Sequence, residues 1–197
     1  ARKGHDVTLF EKNDRLGGNI LIASRVDAGA AELMRPIAAL DQLCRKAGVD
    51  IRLGAACDPA TVRSEAPDVL VVASGPSIKG VSKGVLTPHG VMAAGEKVGP
   101  RVVIMGAGGV GLGVAVYLLR SGEYQITVID ETGKPGRDVN PFYFWQYMAL
   151  MRKRKVNFMM RTVVNVVEVE DGRVRVTGPS GEAVVETDSV ITSLMAP

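Results

Sequence analysis

The stretch that most limits what this chain can become is RVVIMGAGGVGLG, Arg101–Gly113. Val102–Met105 has the β-branched apolar character of a buried strand, and Val110–Leu119 is an apolar helix that stops at Ser121-Gly122. Between them Gly106, Gly108 and Gly111 fit G-x-G-x-x-G, with Ala107, Gly109 and Val110 in the variable places. In such a turn the first glycine permits the bend and the second lets a pyrophosphate approach the backbone. The third lets the helix lie close on the strand. The helix N-terminus adds N–H donors and a partial positive charge. A second strand, Ile126–Ile129, ends at Asp130, nineteen residues past Gly111, where a carboxylate reaches ribose hydroxyls; Glu131 follows it. The alternative reading of these residues is a structural strand–turn–helix that binds nothing.

The chain also repeats itself. VTLFEKNDRLGG (Val7–Gly18) matches ITVIDETGKPGR (Ile126–Arg137), which sets Glu11 on Asp130 and Gly17 on Gly136. ARKG (Ala1–Gly4) stands where LRSG (Leu119–Gly122) stands, and DVLVVASG (Asp68–Gly75) matches DSVITSLM (Asp188–Met195). A recurring offset of about 120 residues implies two copies of one nucleotide-binding unit. In the second copy a strand and a glycine turn precede LRSG. In the first their counterparts would fall before Ala1, so the expectation is a piece of a longer polypeptide.

Composition narrows the classes. With 46% hydrophobic and 23% charged residues, 197 residues hold enough apolar material for a core. A net charge of +3 and 5% aromatics give neither a general pull on nucleic acid nor a stacking platform for it. Cys44 and Cys57 have neither CxxC nor metal-knuckle spacing, and they read as free thiols in a reducing compartment. No apolar run reaches the roughly 18 residues of a membrane span, and nothing resembles a signal peptide. A cytoplasmic setting, with no membrane and no bound metal, is expected.

Coarsely, Asp6–Phe10, Val49–Leu53 and Val69–Ala73 read as strands. Ala30–Ala47 reads as a helix, with Leu33, Ile37, Leu40, Leu43 and Cys44 on one face. Gly75–Pro100 is the crossover. Phe142–Met151 is a helix, Val156–Met159 a strand, Val163–Glu186 an antiparallel meander turned at Asp171-Gly172 and at Gly178–Gly181, and Asp188–Ser193 a last strand. The aromatics of FYFWQY, Phe142–Tyr147, read as core. MRKRK, Met151–Lys155, reads as the cationic end of a helix. Arg137 is a candidate contact for the adenosine ribose or its phosphate. His5 and His89 have no nucleophile partner in a recognisable arrangement, and no catalytic side chain is assigned.

The order GHDVTLFEKNDRLGG, DVLVVASG, GVLTPHGVMAAGEKVGPRVVIMGAGGVG, VIDE, GRDVNP resembles the C-terminal part of NADH:flavin oxidoreductases. The branch is the one containing 2,4-dienoyl-CoA reductase, enoate reductase and trimethylamine dehydrogenase. The resemblance covers nearly the whole chain, and TPHGVMAAGEKVG is its most distinctive part. It implies an α/β fold: a Rossmann-like NAD(P)H-binding domain with a meander over 98–197, and a truncated FAD- or ADP-binding copy over 1–97. It implies that Glu11 contacts the adenosine ribose of FAD or ADP, that Lys12 and Gly17-Gly18 line that nucleotide, and that Ala73 and Gly75 pass near its pyrophosphate. Ser74-Gly75 replaces the family's Thr-Gly. NADH, with NADPH disfavoured by Asp130 and Glu131, would pass a hydride to FAD. FMN and a 4Fe–4S cluster would belong to a barrel to which nothing in this sequence corresponds. The implied partners are the dinucleotide and the rest of the parent polypeptide, with an oligomer possible. Two alternatives stay open: a non-catalytic ADP-holding domain, and another two-dinucleotide flavoprotein such as a reductase like the glutamate synthase small subunit.

Overall fold

The structure is a computed structural model that describes residues 1–26, 28–75 and 83–194. Of the readings above, part of the crossover (76–82) and Met195 lie outside the described residues. The chain divides into two compact units, Ala1–Ser24 with Gly29–Gly75, and Arg25–Ala28 with Pro76–Pro197. The sequence boundary between 97 and 98 therefore moves. Val85, Val91 and Met92 are buried, and Leu86 pairs with Ile191 of the last strand, so the crossover packs with the second unit.

In the first unit β1 (Thr8–Glu11) runs parallel to β2 (Asp50–Leu53). Between them lie α1 (Asn19–Ala23), a 3-10 stretch (Ala28–Leu33) and α2 (Met34–Lys46). The expected helix over 30–47 thus starts as 3-10 and becomes α only at Met34, with Pro36 in the first turn, where its missing N–H costs no hydrogen bond. α3 (Pro59–Glu65) follows β2. It has a clear local cause that pattern reading passed over: the Asp58 carboxylate accepts from Thr61 N–H at 2.7 Å and Pro59 stands at the first helical position.

One expectation fails in this unit. Val69–Ala73 is not a strand: Val69, Val71 and Val72 are 77–79% exposed and the segment is irregular. The sheet here is β1 and β2 alone, and an apolar run without a neighbouring strand has nothing to pair its backbone with. The apolar face of α2 is covered only in part: Ile37 and Cys44 are half-buried, Leu40 is 55% exposed and no α2 residue is fully buried.

The second unit is built around β3 (Arg101–Met105), α4 (Gly109–Ser121), β4 (Gln125–Asp130), α5 (Pro141–Lys153) and β5 (Asn157–Met160). Then come β6 (Val163–Glu168), β7 (Arg173–Gly178), β8 (Gly181–Glu186) and β9 (Ser189–Thr192). The main sheet is all parallel in the order β5-β4-β3-β9, and β6-β7-β8 is a separate antiparallel meander. Val103, Ile129 and Val190 on one face of the sheet share a core with Val174 and Val176 of the meander. By strand alternation Val102 and Ile104, both buried, face the other way. α4 buries eight of its residues, which is what an almost uninterrupted apolar helix requires. This is the expected Rossmann-like α/β architecture.

The aromatic cluster departs from its expected place. Phe142 and Trp145 are 67% and 65% exposed, and only Phe144 and Tyr147 are half-buried. Neighbouring aromatics on a helix cannot all face the same side; Phe144 faces Gly136 and its neighbours turn outward. In the basic run, Arg154 pairs with Glu123 at 2.7 Å and donates to the Leu119 and Gly122 carbonyls. The run ends α5 as expected, with Arg152 and Lys153 in its last turn, and Arg154 serves the C-terminus of α4 as well.

Candidate functional site

The site grows from the C-terminal end of β3, where parallel strands of this kind open onto a crevice. Gly106 turns the chain with φ +104°, a left-handed conformation that glycine alone adopts without strain. A Cβ on Gly111 would collide with the Gly106 carbonyl oxygen, so the third glycine lets α4 start directly against the turn. Gly108 is different. Its φ of −76° suits any residue, and the nearest atoms to an added Cβ are the Asp138 carboxylate oxygens at 3.2 and 3.3 Å. No backbone blocks that face; only a side-chain tip lies over it.

Three contacts draw the loop after β4 across this turn. Asp130 Oδ2 accepts from Ala107 N–H at 2.6 Å, Gly136 N–H donates to the Ala107 carbonyl at 2.7 Å, and Asp138 Oδ1 accepts from Gly109 N–H at 2.8 Å. The other Asp130 oxygen accepts from Thr132 N–H at 2.7 Å. Burial works against a charged Asp130, but the Ala107 N–H, the two donors of Thr132 and the positive charge of Arg137 outweigh it and hold the carboxyl below the usual range. An ionised acid therefore sits at the strand end, facing the glycine turn. Val110 and Gly111 lie in the first turn of α4, while Glu131 and Arg137 are exposed on the loop.

Sequence reasoning missed two residues here. Asp138 takes the first N–H of α4 from 29 positions away, although the N-cap position itself, Gly108, offers no side chain. Ser193, just past β9, donates its hydroxyl to the Met105 carbonyl at 2.9 Å and backs the turn at Gly106. For Ser193 a signal existed: it follows the last strand of a parallel sheet, at the end where such sites lie.

The residues proposed for the other nucleotide lie in the first unit. Glu11 ends β1 and accepts from the Asn13 backbone N–H at 2.9 Å and the Asn13 side chain at 2.8 Å. Lys12 is exposed. Gly17 and Gly18 have φ +126° and +46° and open the short helix α1. Ala73 and Gly75 sit in the exposed irregular segment that replaces the expected strand. Among the described residues of this unit, no glycine turn leads into a long helix as Gly106–Gly111 does in the second unit.

The pyridine nucleotide-disulphide oxidoreductase family matches residues 1–194. The chain is 30% identical over 192 residues to an NADH oxidase of Thermoanaerobacter brockii, covering 92% of this chain and 29% of that protein. It is 33% identical over 196 residues to a bilirubin reductase of Mediterraneibacter gnavus (strain CC55_001C), covering 90% of this chain and 29% of that protein. A solved structure of 2-naphthoyl-CoA reductase with 2-naphthoyl-CoA superposes with a TM-score of 0.83 at 26% identity, over 98% of this chain and 30% of that one. The chain thus spans less than a third of the length of each of these proteins. Among the described residues no helix is long and apolar enough to cross a membrane.

Proposed function

Because the chain belongs to the pyridine nucleotide-disulphide oxidoreductase family, we propose that its second unit is the nicotinamide-nucleotide seat of a larger flavin-dependent oxidoreductase. One observation carries this: the Asp130 carboxylate is fastened onto a glycine turn whose first and third glycines admit no side chain. Gly106, Gly108 and the start of α4 would hold the pyrophosphate, and Asp130 and Glu131 the adenosine ribose, with Arg137 beside them. A bound nicotinamide supplies the hydride; the chain supplies position, and no side chain is required to move a proton. Two acids at the ribose favour NADH over NADPH, because a carboxylate accepts from hydroxyls and repels a 2′-phosphate.

The first unit fits FAD only in part. Glu11 and Gly17-Gly18 suit a ribose, while the described residues offer no phosphate seat. The names of the similar proteins, an NADH oxidase and two reductases, support electron entry from a nicotinamide. The enoate and dienoyl-CoA reductase branch, with FMN and iron–sulfur chemistry in a separate domain of the whole enzyme, rests on the motif resemblance, TPHGVMAAGEKVG above all. A non-catalytic nucleotide-holding role, which the resemblance to trimethylamine dehydrogenase allows, is the second reading. Calorimetric titration with NADH and ADP separates the two: tighter NADH binding is expected, and preference for ADP would select the holding role.

A further inference from the structure

The loop over the glycine turn has a property that the nucleotide seat does not need. A dinucleotide requires an ionised acid at the ribose, which Asp130 supplies, and an open helix end for its phosphates. Here a second carboxylate, Asp138, accepts the first N–H of α4 at 2.8 Å. Its two oxygens lie 3.2 and 3.3 Å from where a Cβ on Gly108 would stand, which is the face a pyrophosphate must approach. It comes from a distant loop, not from the N-cap position where helix-capping side chains ordinarily sit. Asp138 is exposed, so water and ligand can reach it. The loop that carries it is pinned on both sides, by Gly136 N–H to the Ala107 carbonyl and by the Asn140 side chain accepting from Phe142 N–H at the start of α5.

We propose that Asp138 is an internal anion that occupies the phosphate seat and must leave before a dinucleotide can bind. The inference rests on the dinucleotide reading above. Two negative groups at one helix end repel each other and compete for the Gly109 N–H, so the gain that a phosphate makes there is reduced by what Asp138 gives up. The seat is held closed by a contact that ligand phosphate replaces in kind, and affinity is set partly by how firmly Asp138 is held.

The test compares the wild-type chain with Asp138→Asn and Asp138→Ala, using NADH, ADP, inorganic pyrophosphate and adenosine as probes. Asparagine retains an oxygen for the Gly109 N–H and removes the charge, so it guards against a variant that merely misfolds. Both variants are expected to bind NADH, ADP and pyrophosphate about tenfold more tightly than wild type, with adenosine unchanged. Their thermal transitions should fall slightly, because a helix end loses its anion. Equal or weaker phosphate binding by Asp138→Asn would overturn the proposal. So would an equal gain for adenosine, which would mean a generally loosened loop. If wild type and both variants bind none of the phosphate probes, the dinucleotide reading itself fails and this inference goes with it; wild-type binding that Asp138→Asn leaves unchanged sinks the inference alone.

Discussion

The carboxylate of Asp130 and the backbone N–H of Ala107 lie 2.6 Å apart, joining the end of β4 to the middle of the glycine turn. The acid proposed to face the ribose is therefore also a structural tie for the glycine turn. Removing it should disturb recognition of the sugar and the geometry of the turn together.

NADH is accordingly expected to bind more tightly than NADPH, and Asp130→Ala to weaken NADH by roughly tenfold while narrowing the gap between the two. One or two charge-assisted hydrogen bonds carry about that much. Calorimetry on wild type and variant measures it, and tighter NADPH binding by wild type would refute the preference.

The glycines of the turn should separate into two kinds. Gly111→Ala drives a methyl group into the Gly106 carbonyl and should cost about 3 kcal/mol, roughly 6–12 °C in the Tm of the second unit. Gly108→Val meets only a carboxylate tip, at a backbone conformation valine accepts. It should leave the Tm nearly unchanged and abolish nucleotide binding. Unaltered affinity in a folded Gly108→Val protein would make the turn purely structural.

A pH effect is expected at the start of the sheet. Arg101 donates its side chain to Asp188 at 2.7 Å and its backbone N–H at 2.9 Å, and these hold the carboxyl of the exposed Asp188 below its ordinary value of 3.8. A depressed folded-state value stabilises the fold above the unfolded value, and that stabilisation disappears as pH falls through the folded one. Asp188→Asn should therefore lower the Tm at pH 7, and the difference from wild type should shrink below about pH 4. A difference that persists undiminished at pH 3 would show that packing, not charge, holds this corner.

The purified chain should be colourless after incubation with FAD. Glu11 offers a ribose contact of roughly 1–3 kcal/mol, against an immobilisation cost on the order of 4–15 kcal/mol, and its carboxylate is already engaged by Asn13. Stoichiometric flavin absorbance would disprove this.

Trp145 is the single tryptophan of the chain and stands 65% exposed on α5. Its fluorescence should be red-shifted and readily quenched by acrylamide. A blue, protected emission would mean that this helix face is covered in solution.

The strand, turn and first helix of the second unit were legible because their causes are local. Gly106 must bend, Gly111 must let a helix approach, and an acid at the end of the next strand falls at a fixed reach. Asp138 was not legible, since its place over Gly109 depends on how ten loop residues cross the turn. Val69–Val72 misled for a related reason. Periodicity reports what a segment would bury, and it is silent on whether a partner stands alongside. Phe142 and Trp145 carried the same ambiguity, and there the helix phase relative to α4 decided the outcome.

The pairing of Leu86 with Ile191 has one more consequence. Leu86 donates its N–H to the Val190 carbonyl at 2.8 Å and accepts from Thr192 at 3.0 Å, so the outermost strand β9 does not present a free row of backbone groups. An uncovered β9, with four buried residues, would otherwise be a short template for strands of other molecules. The connecting segment thus acts as an edge guard, built into the chain just ahead of the sheet it protects.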